Sequence, residues 1–154
     1  MMERFLAFSE QVTAFTTFDL VGTGQAQAYL TAVTDVVGAE MLKELLDAYG
    51  RMSTTPQPER EGRLRREIFG DEKLGPIGRN IIKLWYSGIW YELPRAWADA
   101  FGAIETNVTF MVSAAAYTEG LLWPAIGANP SGAKAPGYAS WVGPPQIPPV
   151  PVLP

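Results

Sequence analysis

Proline sets the strongest limit on how this chain can fold. Of its 13 prolines, nine lie beyond Trp123. A proline inside a helix lacks the N–H donor and clashes with the preceding turn. No regular helix can therefore run through Pro124, Pro130, Pro136 and the closing prolines. Gly127, Gly132, Gly137 and Gly143 fall among them and permit tight turns. The sequence divides into a body, residues 1–124, and an extended Pro/Gly-rich arm, residues 125–154. From Pro130 on, ~24 residues at about 3 Å each would reach roughly 70 Å. That is several times the ~14 Å radius of gyration of a ~120-residue body.

Within the body the apolar pattern is helical. Phe5, Phe8, Val12 and Phe15 recur at spacings of three and four, as one buried helix face requires. "TTFDLVGTG" breaks that pattern. A second helix is expected over about residues 25–37, stopped by Gly38; a third carries Met41, Leu42, Leu45, Leu46 and Tyr49 and ends at Gly50. Thr55 is placed to cap a helix with Pro56 at its first position. The charged "EREGRLRREIF" that follows can bury only Leu64, Ile68 and Phe69. Acids offset its arginines, so it reads as a solvated surface helix rather than a basic docking face. Pro76 opens a stronger element with Ile77, Ile81, Leu84, Trp85 and Ile89 on one face, loosened at Ser87-Gly88 and closed by Pro94. A short helix, a turn near Thr106-Asn107 and a last helix from Met111 to Trp123 complete the body. The expected architecture is all-α: a compact body of five to seven helices with an extended arm.

What is missing narrows the chemistry. The chain has no Cys and no His. Disulfides, thiolate or imidazole metal ligation, the cysteine nucleophile and the imidazole base are all excluded. A net charge of −4 argues against nucleic acid, which needs clustered Lys and Arg. No apolar run approaches the ~18–20 residues that span a bilayer, so a soluble protein is expected. "MMERFLAFSEQ" is too brief an apolar patch for a signal peptide, and Arg65-Arg66 lies mid-chain. The doubled Met at the start suggests that an upstream segment was trimmed.

Several motifs fall short of a catalytic reading. "GANPSGAK" spaces Gly127 and Gly132 like a phosphate loop, yet Ala133 stands where the lysine should be and no strand precedes it. Asp99 and Glu105 read as solvated surface acids rather than a carboxylate pair, and Asn107-Val108-Thr109 fits a glycosylation pattern too short to weigh. Glu119 and Lys134 are more informative, being the only charged side chains after Glu105. Among apolar neighbours they are expected to act as a clasp, Glu119 accepting from Lys134 or from backbone N–H groups of the Gly-rich turn. Two exposed charges without a structural role remain the alternative. Trp123, Tyr138 and Trp141 fit either a core cover or anchors for another protein, where Trp and Tyr are favoured. The run containing Pro144, Pro145, Pro148 and Pro149 suits docking in a partner's groove, because a preformed extended chain loses little entropy.

"LWYSGIW", residues 84–90, followed by "AYTEGLLWPAIGANPSGAKAPGYASW", residues 116–141, resembles the small (gamma) subunit of membrane-bound FAD-dependent sugar and polyol dehydrogenase complexes. These include sorbitol, fructose and glucose dehydrogenases. "FLAFSEQVTAF" through "AQAYL" is similar to that family's opening helices, while residues 51–75 carry little of the signal. Asn129 stands where members of the family have His, which favours a structural job for that turn. The resemblance implies a non-catalytic chain that binds, stabilises and helps mature or export a large FAD-containing subunit. A multihaem cytochrome c subunit often completes the complex. FAD, and any iron–sulfur or haem centres, would sit on those partners, with no cofactor, catalytic residue or metal on this chain. The implied location is periplasmic, at the outer face of the bacterial inner membrane, with membrane contact only through partners. Such subunits commonly carry a twin-arginine signal, which this sequence lacks.

The residues expected to meet the partner are Trp123, Tyr138, Trp141, Pro144, Pro145, Pro148 and Pro149. A standalone enzyme or sugar-binding module using Trp85, Trp90 and nearby acids is the alternative. A helical oligomer whose tail docks on a copy of itself is a third reading.

Overall fold

A computed structural model of the chain describes residues 1–102 and 107–134. The described residues are all-α apart from one β ribbon of two two-residue strands. Helix α1 (Met2–Thr13) turns Phe5 and Phe8 fully inward and ends at Ala14, whose backbone is left-handed. Val12 and Phe15 lie at the edge of the same core. The break after it contains an extra short helix, α2 (Thr17–Gly22). Thr16 and Asp19 form its capping box, with the Asp19 N–H donating to Thr16 Oγ1 and the Thr16 N–H to Asp19 Oδ2. Helices α3 (Ala26–Val37) and α4 (Ala39–Gly50) stop at Gly38 and Gly50 as the sequence indicates. They bury Tyr29, Val33 and Val36, and Leu42, Leu45 and Leu46.

Helix α5 (Gln57–Leu64) continues as a π-helical turn, Arg65–Phe69, and buries only Leu64 and Ile68. It is the expected surface helix. Thr55, however, does not cap it. The Thr55 carbonyl accepts from Arg60 Nε and Nη2 at 3.0 and 2.9 Å, so this turn is held by a guanidinium instead. Helix α6 (Leu74–Ser87) starts two residues before Pro76, because Asp71 Oδ1 accepts from the Lys73 and Leu74 N–H groups at 2.9 and 2.7 Å. Ile77, Ile81, Leu84 and Trp85 are fully buried on one face. Ile89 falls outside the helix.

Helices α1, α3, α4 and α6 close around an aromatic centre. The Trp85 ring stacks on Phe5 at 6.1 Å and meets Tyr29 edge-on at 4.9 Å, and its Nε1 donates to Ser9 Oγ at 2.8 Å. Phe8 meets Tyr49 edge-on at 5.6 Å. These ring pairs tie α6 to α1 and α3, and α1 to α4.

The last third differs from the expected single helix over residues 111–123. Strand β1 (Ile89–Trp90) pairs antiparallel with β2 (Phe110–Met111), so Met111 is strand rather than helix. Helix α7 (Arg95–Phe101) lies between them and buries Trp97, whose Nε1 donates to Lys73 O at 2.9 Å. Two short helices follow, α8 (Ala114–Thr118) and α9 (Leu122–Ala125), separated by Glu119, Gly120 and Leu121. Helix α9 includes Pro124, contrary to the expected stop at Trp123, because a proline in the first turn gives up an N–H that has no intrahelical acceptor.

Candidate partner-binding site

The end of α6 determines how the C-terminal segment sits. A helix leaves its last carbonyls without intrahelical donors. Here Trp85 O accepts from the Leu121 N–H at 3.0 Å, and Gly88 O accepts from the Val112 N–H at 3.0 Å. Such close passage needs two glycines. At Gly88, φ is +72°, and a Cβ would lie 2.5 Å from Ala116 O; at Gly120 a Cβ would lie 2.7 Å from Tyr86 O. This is why one helix cannot run from Met111 to Trp123: the chain must open at Gly120 for its backbone to cap α6. The stretches 84–90 and 116–134 thereby form one unit.

Beyond α8 the chain folds back on itself. Trp123 Nε1 donates to Tyr117 O at 2.7 Å, and the two rings meet edge-on at 5.4 Å. The Ala128 N–H donates to Trp123 O at 2.9 Å, and Tyr117 Oη donates to Ser131 O at 3.4 Å. Pro130 is buried, and its carbonyl accepts from the Ala133 and Lys134 N–H groups. Lys134 Nζ lies 2.7 Å from Glu119 Oε1, with both side chains partly exposed. Residues 126–134, within the stretch read from sequence as the start of an extended arm, are a set of turns folded back on α8 and α9.

The site residues singled out from sequence divide accordingly. Glu119 and Lys134 are brought together as an ion pair. Trp123 is half-buried, and its indole N–H is spent on Tyr117, which leaves it a structural task within the unit. Tyr138, Trp141, Pro144, Pro145, Pro148 and Pro149 lie outside the described residues, as does Glu105. Trp85 and Trp90 are both 0% exposed. A sugar-stacking platform needs an open ring face, so neither can supply one. Asp99 is exposed and lies 3.8 Å from exposed Arg95. Asn107 of the glycosylation-like triplet is committed to the backbone of Leu93, accepting from its N–H at 2.9 Å and donating to its carbonyl at 3.3 Å. The lysine of the loop resembling a phosphate site is held by Glu119.

Among the described residues, two buried donors lack a hydrogen-bond partner, the Tyr29 hydroxyl and Trp90 Nε1. Burial, and then the charge of Glu119, push the Tyr29 phenol above its ordinary range. Tyr29 therefore stays neutral through the physiological range and links the aromatic centre electrostatically to the clasp. Sequence reasoning missed α2 and its exposed Phe18, although Thr16 and Asp19 have capping-box spacing. Among the described residues, no group of His, Cys, Asp and Glu is placed to hold a metal, and no helix is long and apolar enough to cross a membrane. No family model, curated protein or solved structure matches the chain.

Proposed function

We propose that this chain is the small, non-catalytic subunit of a membrane-bound FAD-dependent sugar or polyol dehydrogenase complex. In this reading it binds and stabilises the large flavin-bearing subunit and helps it mature and reach the periplasmic face of the inner membrane. The supporting observation is that the described parts of the two stretches carrying the resemblance are spent on each other. Leu121 caps Trp85, Gly120 and Gly88 give the clearance, and Glu119 holds Lys134. Residues with these duties build a mount for the chain that follows; they are not arranged around a reacting atom.

Beyond Lys134 the sequence contains no charged side chain and ends in a proline run, from Pro144 on, suited to a partner's groove. The mechanism is linkage. A chain that binds only the folded flavoprotein raises the folded fraction of that subunit by mass action. FAD and the electron-transfer centres belong to the partners. Co-expression with the large flavoprotein subunit of such a complex tests the reading. A co-eluting pair with bound flavin is expected, and a lower yield of flavoprotein without this chain. A large subunit equally soluble and flavin-loaded without it, or sugar oxidation by this chain alone, would overturn the proposal.

A further inference from the structure

Between α2 and the C-terminal turns lies a cleft of about 510 Å³. Phe15, Phe18, Leu121, Trp123, Pro124 and Pro130 contribute its apolar lining. Phe18 is 85% exposed, the most exposed large apolar side chain among the described residues. It is not on a loose loop: the Thr16–Asp19 capping box and fully buried Leu20 hold α2 in place. Several of the polar side chains around the cleft are hydrogen-bonded or ion-paired, and Asn129 adds an uncharged amide. Asp19 accepts from Thr16, Thr118 Oγ1 donates to Ala115 O, and Glu119 is paired with Lys134. The walls therefore suit an uncharged, aromatic occupant: Glu119 is neutralised by Lys134, and the Asp19 carboxylate is engaged by the N–H and hydroxyl of Thr16.

The chain supplies such an occupant next to the cleft. Lys134, the last described residue, lines the cleft itself. The 20 residues after it contain no Asp, Glu, Lys or Arg and include Tyr138 and Trp141. Trp141 is seven positions on, within about 25 Å of the cleft at full extension. A tether that short presents its aromatics at an effective concentration on the order of millimolar. A free protein element would have to outcompete that.

We propose that the cleft seats this chain's own aromatic segment, residues 138–141, in cis against Phe18 and Trp123. Only the prolines from Pro144 on are then left for another protein. This reading divides the arm into a self-docked aromatic half and an outward proline half. It stands independently of the proposed flavoprotein partner.

The test is the emission of Trp141, obtained as the difference between the chain and its Trp141→Phe variant. It is recorded with acrylamide quenching at dilute and concentrated protein, in the parent chain and in Phe18→Ser. Phe18 lies outside the buried core, so its replacement should leave the helical body folded, with the melting temperature lowered only by the lost docking. In the parent chain the Trp141 component should be blue-shifted and shielded at every concentration. Phe18→Ser should lower the ratio of docked to undocked tail about tenfold, as loss of one buried aromatic contact does. Emission of Trp141 that is already solvent-like in the parent chain, or unmoved by Phe18→Ser, would overturn the proposal. So would shielding that disappears on dilution, since the occupant would then be a second copy. The experiment contains no flavoprotein, so its failure would leave the subunit reading untouched.

Discussion

The helical core and the C-terminal unit are held by different forces. Around Trp85, four helices bury aromatic and branched side chains at three- and four-residue spacing, and removal of apolar surface from water is the main stabilising term. From Phe110 to Lys134 the described residues bury few large apolar side chains. That region is fixed by backbone groups: the cap of Leu121 on Trp85, the ribbon between β1 and β2, and turns closed by Trp123 and Pro130. A core of the first kind tolerates small shifts of backbone. A unit of the second kind depends on a few close approaches and should fail locally when one is blocked.

Substitutions in the two regions should therefore separate cleanly. Trp85→Ala removes the ring shared by Phe5 and Tyr29 and the partner of Ser9, and should cost about 3–5 kcal/mol, read by denaturant unfolding of the whole domain. An effect below about 1 kcal/mol would mean that the aromatic centre does not organise the core. Gly88→Ala places a Cβ against Ala116 O at a left-handed residue and should cost about 1–3 kcal/mol. Hydrogen exchange should show the loss at Val112 and Leu121 first, with Leu45 and Val33 still protected; uniform loss would erase the distinction between the regions.

Tyr29 joins the two, and its response is to pH. The folded state holds the phenol above its usual value of about 10, through burial first and Glu119 second. Stability from this group is complete below pH about 10 and is lost as pH rises further, because the unfolded chain ionises while the folded one keeps its proton. Tyr29→Phe should flatten that alkaline decline and, by removing an unpartnered hydroxyl, leave neutral-pH stability nearly unchanged. A decline of unaltered steepness would show that other tyrosines set it. The smallest effect belongs to Glu119→Gln. The pair is partly exposed, worth about 0–1 kcal/mol, so global unfolding should barely move while protease cleavage near Lys134 quickens. Unchanged cleavage would remove the clasp from the account.

The same contrast explains what could be read before the structure. Side-chain burial leaves periodicity in the sequence, so α1, α3, α4, the surface character of α5 and the face of α6 were all legible. Backbone capping leaves almost none. Nothing in the spacing of Ala114 to Leu122 shows that Leu121 will donate to a carbonyl 36 positions earlier, so a single helix was the natural reading. The glycines at 88 and 120 were visible, but their meaning is the proximity of another backbone. Prolines alone implied an arm from residue 125, whereas Pro130 and Trp123 use that stretch to build turns. Trp85 was marked as buried by its place on the apolar face of α6, whereas Trp90 carried no mark to separate a buried ring from a displayed one.

The most direct test of the central claim joins the C-terminal unit to partner binding. Gly120→Val should block the approach of this segment to Tyr86 O while sparing the core around Trp85. Binding of the purified parent chain and this variant to the proposed flavoprotein partner would be measured alongside their thermal unfolding. The account predicts a variant whose core still melts cooperatively but whose affinity for the flavoprotein falls at least about tenfold. Equal affinity in a chain whose Leu121 N–H has lost protection would contradict it.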